Sequence, residues 1–422
     1  MRMAHDRPRA EDDRTDSTPR LPLPPRTPHR IASEAEALDI ARALAREFRQ
    51  DAASRDRERR LPWDEIERYT ASGLGGIGVP RAHGGIGASF RTLAEVFAIL
   101  CAADPSLGQI PQNHHALIRH LVEFGSPSLQ RRIFADVLAG HRLGNAGPER
   151  KARAAAVHHA TARLRRDAQG TLRASGTRHY STGALFAHWV PFRAQDESGR
   201  PVQVWVRRTA PGLQVIDDWD AFGQRTTASG SVVLQDVPVE DGDVVALHAS
   251  QDRPTLTGPF SQLLQASIDL GIAEGALEDA LAYVREKTRP WVDSGVEHAH
   301  DDPHILREVG ELAIDVHAAR EVLAEAADLL DAAAQAPLTD AASAEASVAV
   351  ARAKVLTTEA ALHAGEHLLE LAGASASRTV HNLDRHWRNA RVHTLHDPVR
   401  WKYHLIGRYV LNGQAPRRHQ WN

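Results

Sequence analysis

The feature that most constrains this chain is the order of its textures: a helical block, a short β-rich block, then a second helical block, with no βαβ alternation anywhere. From Ile31 to about Gly140 the chain reads as helix. Ser33 followed by Glu36 is a capping-box start for a helix through Ala35, Leu38, Ile40, Ala41, Leu44 and Phe48. Further helices are expected from Pro62–Trp63 to the glycines at Gly73, over Arg91–Ala102, Gln112–Phe124 and Ser128–Ala139. From about Leu143 to Leu247 come short β-rich runs, Gln203–Arg208, Leu213–Asp217 and Ser231–Leu234, separated by turn signals such as Ala210-Pro211-Gly212. Beyond Thr257 helix returns. Val309, Leu312, Val316, Leu323 and Leu330 keep one apolar stripe, and Ala341–Leu371 is a long alanine-rich run. Segregated layers of this kind predict an α+β protein. The expected domains are a disordered arm over 1–30, an N-terminal helical domain over 31–142, a middle antiparallel β domain over 143–250, and a C-terminal helical bundle over 251–422.

Composition narrows the function. With 42% hydrophobic and 25% charged residues the 422-residue chain is that of an ordinary globular protein. A formal charge of −3 offers no basic field for nucleic acid or an anionic membrane. No apolar run is long enough to span a bilayer, and the Arg-, Asp- and Pro-rich start has no secretory apolar stretch. The single cysteine, Cys101, can form neither an internal disulfide nor a multi-cysteine metal site, and a cytoplasmic location is expected. Gly73-Leu74-Gly75-Gly76-Ile77-Gly78 has the spacing of a dinucleotide loop, but it follows a helix, not a strand, and is read as a helix terminator.

Three segments carry a family resemblance that spans most of the chain after the arm. Ser175-Gly176-Thr177-Arg178-His179-Tyr180-Ser181-Thr182-Gly183 is similar to the flavin-contacting N-G-x-K-x-W-I-T-N-G of the acyl-CoA dehydrogenases. The stretch Trp219–Gly230, with Val232–Pro238 after it, resembles the family's G-x-R segment and following strand. Arg385–Pro398 resembles its closing R-D-A…E-G-T. Where the dehydrogenases place a glutamate base, this chain has His396-Asp397-Pro398, and Leu143-Gly144-Asn145-Ala146 replaces the T-E-P-x-x-G-S-D loop. Those departures resemble the monooxygenase branch, which holds the dibenzothiophene-desulfurisation and sulfur-acquisition enzymes.

The resemblance implies an acyl-CoA dehydrogenase-like fold and a flavin-dependent oxidoreductase. The implied activity is that of an FMNH2-dependent monooxygenase, oxygenating a small organosulfur or similar apolar substrate with O2. Reduced FMN would come from a separate flavin reductase. The implied site has His396, Thr182, Asn145 and His393 at the reacting centre. Tyr180, Ser181 and Thr182 would lie on the ring, and Lys287, Arg289, Ser375 and Ser377 on the phosphate, through a homodimer or homotetramer. His114 and Trp219 would face substrate. His393 and His396 are at most two ligands, so no metal is assigned. Two alternatives remain: an FAD-dependent acyl-CoA dehydrogenase using Asp397 as base, and a flavin-free helical scaffold.

Overall fold

The computed structural model describes residues 20–148 and 162–422. Six helices build the first described block: α1 (Glu34–Glu58), α2 (Trp63–Ala71), α3 (Phe90–Ala103), α4 (Pro105–Gln109), α5 (Gln112–Phe124) and α6 (Pro127–Leu138). The cap read from sequence is present. Ser33 Oγ accepts the Glu36 N–H, while the Glu36 carboxylate accepts from Ala32 N at 2.7 Å. The glycine cluster forms a short 3-10 turn at Leu74–Gly76 directly after α2, with no strand before it.

The expectation of a disordered arm over 1–30 needs correction. Residues 1–19 lie outside the described residues. Residues 20–30 run without regular structure but are held by specific bonds. His29 N donates to Ala71 O at 2.8 Å, and the Arg20 guanidinium lies 4.7 Å from the Trp63 ring centroid. His188 Nδ1 accepts from Arg142 N, so its Nε2 carries the proton and donates to Leu23 O at 2.9 Å. Polar composition alone hid this, because these bonds go to backbone groups far away in sequence.

The middle block is one sheet: β1 (Arg163–Arg166), β2 (Leu172–Arg178), β3 (Trp189–Gln195), β4 (Pro201–Arg207), β5 (Leu213–Ile216), β6 (Ser231–Val239) and β7 (Val244–Ala246). Their order is β5-β6-β2-β1-β3-β4-β7. Pairing is antiparallel throughout except at β1–β3, which is parallel. The expected β-runs match β4, β5 and the first half of β6.

The last block holds α7 (Ala249–Asp252), α8 (Thr257–Glu286), α9 (Pro303–Ala334), α10 (Asp340–Ala372), α11 (Asp384–His393) and α12 (Arg400–Asn412). Helix α8 is the axis of the molecule, packing on α3, α5, α9, α10 and α11. It is buried nearly all round, which explains why its sequence shows no single apolar stripe. The stripe on α9 does face inward: Leu312, Val316, Leu323 and Leu330 are buried.

Glycine sets the approach of α8 to α3. A Cβ on Gly271 would lie 2.6 Å from both Ala98 O and Cys101 Cβ. Gly271→Ala is therefore expected to destabilise the protein by about 1–3 kcal/mol through overpacking, although alanine is the better helix former. Urea unfolding of the two proteins checks this; an unchanged or higher midpoint would show that the helices separate without cost.

Candidate active site

The candidate site lies at the junction where the loops after β2 and before β6 meet α11 and, through it, α8. On the sheet side β2 ends at Arg178, and the chain turns sharply. Tyr180 takes φ 54° and Gly183 φ 81°, so Tyr180–Gly183 leave the strand. Thr182 therefore sits on a turn, not on the strand the motif suggested. Ser181 N donates to Gly230 O at 3.0 Å, pinning the turn to the start of β6.

The Asn145 loop closes on the same turn. A Cβ on Gly144 would lie 2.6 Å from Ala184 Cα, so only glycine lets the two backbones meet. Asn145 lies between the bridges Leu143–Trp189 and Ala146–Phe192, which carry it along the edge of β3. Thr182 and Asn145 are thus neighbours by construction.

A hydrogen-bonded chain links this turn to α11. Thr182 Oγ1 pairs with Ser229 Oγ at 2.6 Å, and Ser229 Oγ with Thr227 Oγ1 at 2.7 Å. Thr227 Oγ1 donates to Gln224 O, which also accepts from Trp219 Nε1 at 2.8 Å. Gln224 N donates in turn to Asn389 Oδ1 at 2.7 Å. Asn389 is one turn before His393 on α11, so the motif around Thr182 and the late histidine motif share one frame.

Tyr180 and Trp219 form an edge-on pair with centroids 6.2 Å apart, and Phe222 stacks on Trp387 at the same distance. Three of these rings, those of Tyr180, Phe222 and Trp387, are exposed in the single chain. Exposed, ordered aromatic rings at such a junction suit a flat apolar ligand.

The two late histidines part company. His393 is fully buried: Nδ1 donates to Asp269 Oδ1 at 2.5 Å and Nε2 pairs with the Gln265 amide at 2.7 Å. Both nitrogens are occupied, so His393 does not face a substrate, as was expected, but holds α11 to α8. Asp269 also takes Lys354 Nζ at 2.5 Å and Thr358 Oγ1 at 2.8 Å. Burial works to raise the Asp269 pKa, but Lys354 and His393 outweigh it and hold the carboxyl well below the usual range.

Helix α11 ends at His393, so His396 lies on the following loop and does not share a helical face with it. Its ring is exposed in the single chain, although neighbouring protein atoms reduce its hydration. Loss of solvation there holds its pKa below the ordinary imidazole value, while Asp397 pulls the other way. Asp397 is buried and paired with Lys402 Nζ at 3.0 Å. Lys402 is further bound to Trp421 O, so the chain's last residues fold back over this corner. A carboxylate committed to a lysine is a poor proton acceptor for the dehydrogenase alternative.

His114 also departs from expectation. Nδ1 accepts from Leu143 N at 3.0 Å, so Nε2–H donates to Gly75 O at 2.8 Å. Burial pushes its pKa down to about 4, keeping it neutral. Neither nitrogen is left for a substrate hydrogen bond; His114 ties α5 to two loops.

Lys287 and Ser375 come together, but elsewhere. Lys287 Nζ lies 5.3 Å from the Tyr283 ring centroid, and Tyr283 OH is 3.0 Å from Ser375 Oγ. Arg289, Ser375 and Ser377 are exposed, and Ser377 Oγ donates to Ala374 O. Lys287 is eighteen residues beyond Asp269, about 27 Å along the helix at 1.5 Å per residue. Lys287 therefore lies well removed from the Asp269–His393 contact.

Ser181 Oγ and Asp397 Oδ1, both on segments singled out from the sequence, are buried with no hydrogen-bond partner among the described residues. Sequence reasoning missed Gln224 and Gln262, whose amide atoms are all buried and unpaired in the same way. Gln262, Gln265 and Asp269 follow a three- and four-residue spacing on α8, so Gln262 shares the face that meets His393. Buried glutamines without partners have no sequence signal; only the assembled fold reveals them.

Fold and site together define a flavoenzyme architecture, and comparison with known proteins names it. Residues 33–141 match the acyl-CoA dehydrogenase N-terminal domain model and residues 263–401 the acyl-CoA dehydrogenase C-terminal domain model. The chain belongs to the acyl-CoA dehydrogenase family. It is 33% identical over 402 residues to a dibenzothiophene monooxygenase of Rhodococcus erythropolis, covering 92% of this chain and 96% of that one. It is 31% identical over 392 residues to a probable FMNH2-dependent monooxygenase, SfnC, of Pseudomonas putida, covering 90% and 96%. The solved FMN-bound TdsC of Paenibacillus sp. A11-2 superposes with a TM-score of 0.86 at 31% identity, over 92% of this chain and all of that one.

Proposed function

We propose that this protein is an FMNH2-dependent monooxygenase that uses O2 to oxygenate a small organosulfur or similar apolar substrate. The observation that carries the reading is the hydrogen-bonded frame joining the Thr182 turn to α11, with the exposed rings of Tyr180, Phe222 and Trp387 and the unpaired buried Ser181 and Gln224 on the segments it links. A flavin ring has the flat apolar faces the aromatics suit and the polar edge the amides lack. The close relatives named above support the same chemistry, one of them being an FMN-bound structure. Reduced FMN, when bound, supplies the electrons that activate O2. Ser181 and Thr182 would orient the ring edge, and Trp219 and Tyr180 would wall out water. Asn145 would hydrogen-bond at the reacting edge, and a ring nitrogen of His396 would hold or accept a proton there. A separate flavin reductase is the functional partner that this chemistry requires.

Lys287, Arg289, Ser375 and Ser377 would hold the phosphate, but of a flavin seated on a second copy of the chain, since α8 carries Lys287 far from the Asp269–His393 contact within one copy. A homo-oligomer is therefore part of the reading. Exposed Trp401, Val410 and Leu411 on α12 and Leu306 and Ile314 on α9 offer apolar surface for it. No described helix is long and apolar enough to cross a membrane.

Equilibrium titration with FMN, FMNH2 and FAD tests the reading. Reduced FMN is expected to bind, and Lys287→Ala to weaken it by about 1–2 kcal/mol, as for one charge-assisted hydrogen bond. Failure of all three flavins to bind would return the protein to the scaffold alternative. Tight FAD binding with bleaching by an acyl-CoA thioester would favour the dehydrogenase.

A further inference from the structure

A second cluster lies outside this site, where the start of α9 meets the end of α10. Glu308 is in the second turn of α9; His367 and Glu370 are three residues apart on α10 and share a face. His367 Nδ1 is 3.8 Å from Glu308 Oε2 and 3.7 Å from Glu370 Oε2. One ligand atom from each residue lies within 4.8 Å of the other two. These separations are too long for hydrogen bonds. They are close to the ~3.4 Å between donors that share a tetrahedral ion at about 2.1 Å.

A second observation points the same way. His367 Nδ1 is shielded from solvent and has no hydrogen-bond partner among the described residues. An imidazole lone pair facing two carboxylates is three acceptors around one volume, which only a cation or a proton can reconcile. The ring is also pre-set. His363, one turn earlier, lies edge-on to it with centroids 4.2 Å apart, and is itself held by Asp315 Oδ2 at 2.8 Å. That edge contact restricts rotation of the His367 ring.

We propose that Glu308, His367 and Glu370 form a site for a zinc-class divalent cation, with water completing the coordination. One imidazole and two carboxylates suit zinc, cobalt or nickel better than calcium. The cation would tie α9 to α10 one turn before Gly373 and the Ala374–Ser377 loop. It plays no part in the oxygenation reading and stands apart from it.

The test uses the full chain, stripped with a chelator and titrated with Co2+ and Zn2+. The chain has 24 histidines, so the readout is a difference between variants. One Co2+ equivalent is expected to lose affinity on the order of tenfold or more in His367→Ala and in the near-isosteric Glu308→Gln. The exposed His317→Ala should match wild type. Zinc should raise the wild-type Tm by roughly 2 °C and leave His367→Ala unmoved. Equal Co2+ affinity and equal zinc shifts in wild type and both variants would overturn the site. So would a wild-type Tm that responds to acidification alone and not to metal, since a proton would then be the occupant. Flavin titration of the same samples keeps the two readings separable, because loss of the metal site leaves Thr182 and His396 untouched.

Discussion

His396→Ala is expected to cut product formation by about 10²–10⁴-fold, the usual span for losing a positioned acid or base, while leaving the Tm nearly unchanged. The imidazole is on a loop after α11 and exposed, so its removal leaves little unfilled volume. Its lowered pKa keeps it neutral at neutral pH, able to accept a proton at one nitrogen and donate at the other. Oxidation of reduced flavin should continue in the variant, with peroxide released in place of oxygenated product. Measuring both gives a ratio that a purely structural residue would not move. If product and peroxide fall together, or neither changes, His396 has no proton-handling role.

Lys354→Met should have the largest effect on stability, about 3–5 kcal/mol, because it leaves the Asp269 charge buried without its cation. Both side chains are almost wholly shielded, at 1% and 0% exposure. His393 and Thr358 keep their bonds to the carboxylate, which favours the lower end of that span. The pH dependence should invert. In the wild type Asp269 has a depressed pKa, so its contribution is present above the ordinary carboxyl value of 3.8 and is lost as pH falls through the lower folded value. In the variant, desolvation dominates and raises the folded pKa. Stability should then be greatest in acid and fall as pH rises through the carboxyl range. Urea unfolding at pH 4, 5 and 7 checks the slope. The double variant Lys354→Met/Asp269→Leu should recover part of the loss. A variant as stable as wild type at every pH would mean that the ion pair carries nothing.

Much of the fold was legible because its signals are local. The Ser33 cap, the α9 stripe, the Ala341–Leu371 run and the β-rich middle each depend on spacing within a dozen residues. The motifs around Thr182 and Asn145 singled out two segments that the fold brings together, with Thr182 on a turn after β2. His393 and His114 were misjudged for one reason. A buried histidine with both nitrogens bonded and a reactive one look alike in a sequence, since their partners come from Gln265, Asp269, Gly75 and Leu143.

The amino-acid order alone was enough for the three-block architecture and the family. Helix and strand periods, caps and turns are short-range, so they survive in a linear string. Only the packed molecule decided which histidine is open and which is locked, which amides are left without partners, and that Lys287 lies far along α8 from the Asp269–His393 contact. Those outcomes depend on burial and on contacts between segments more than a hundred residues apart, where hydrogen-bond pairing is settled by geometry and not by spacing.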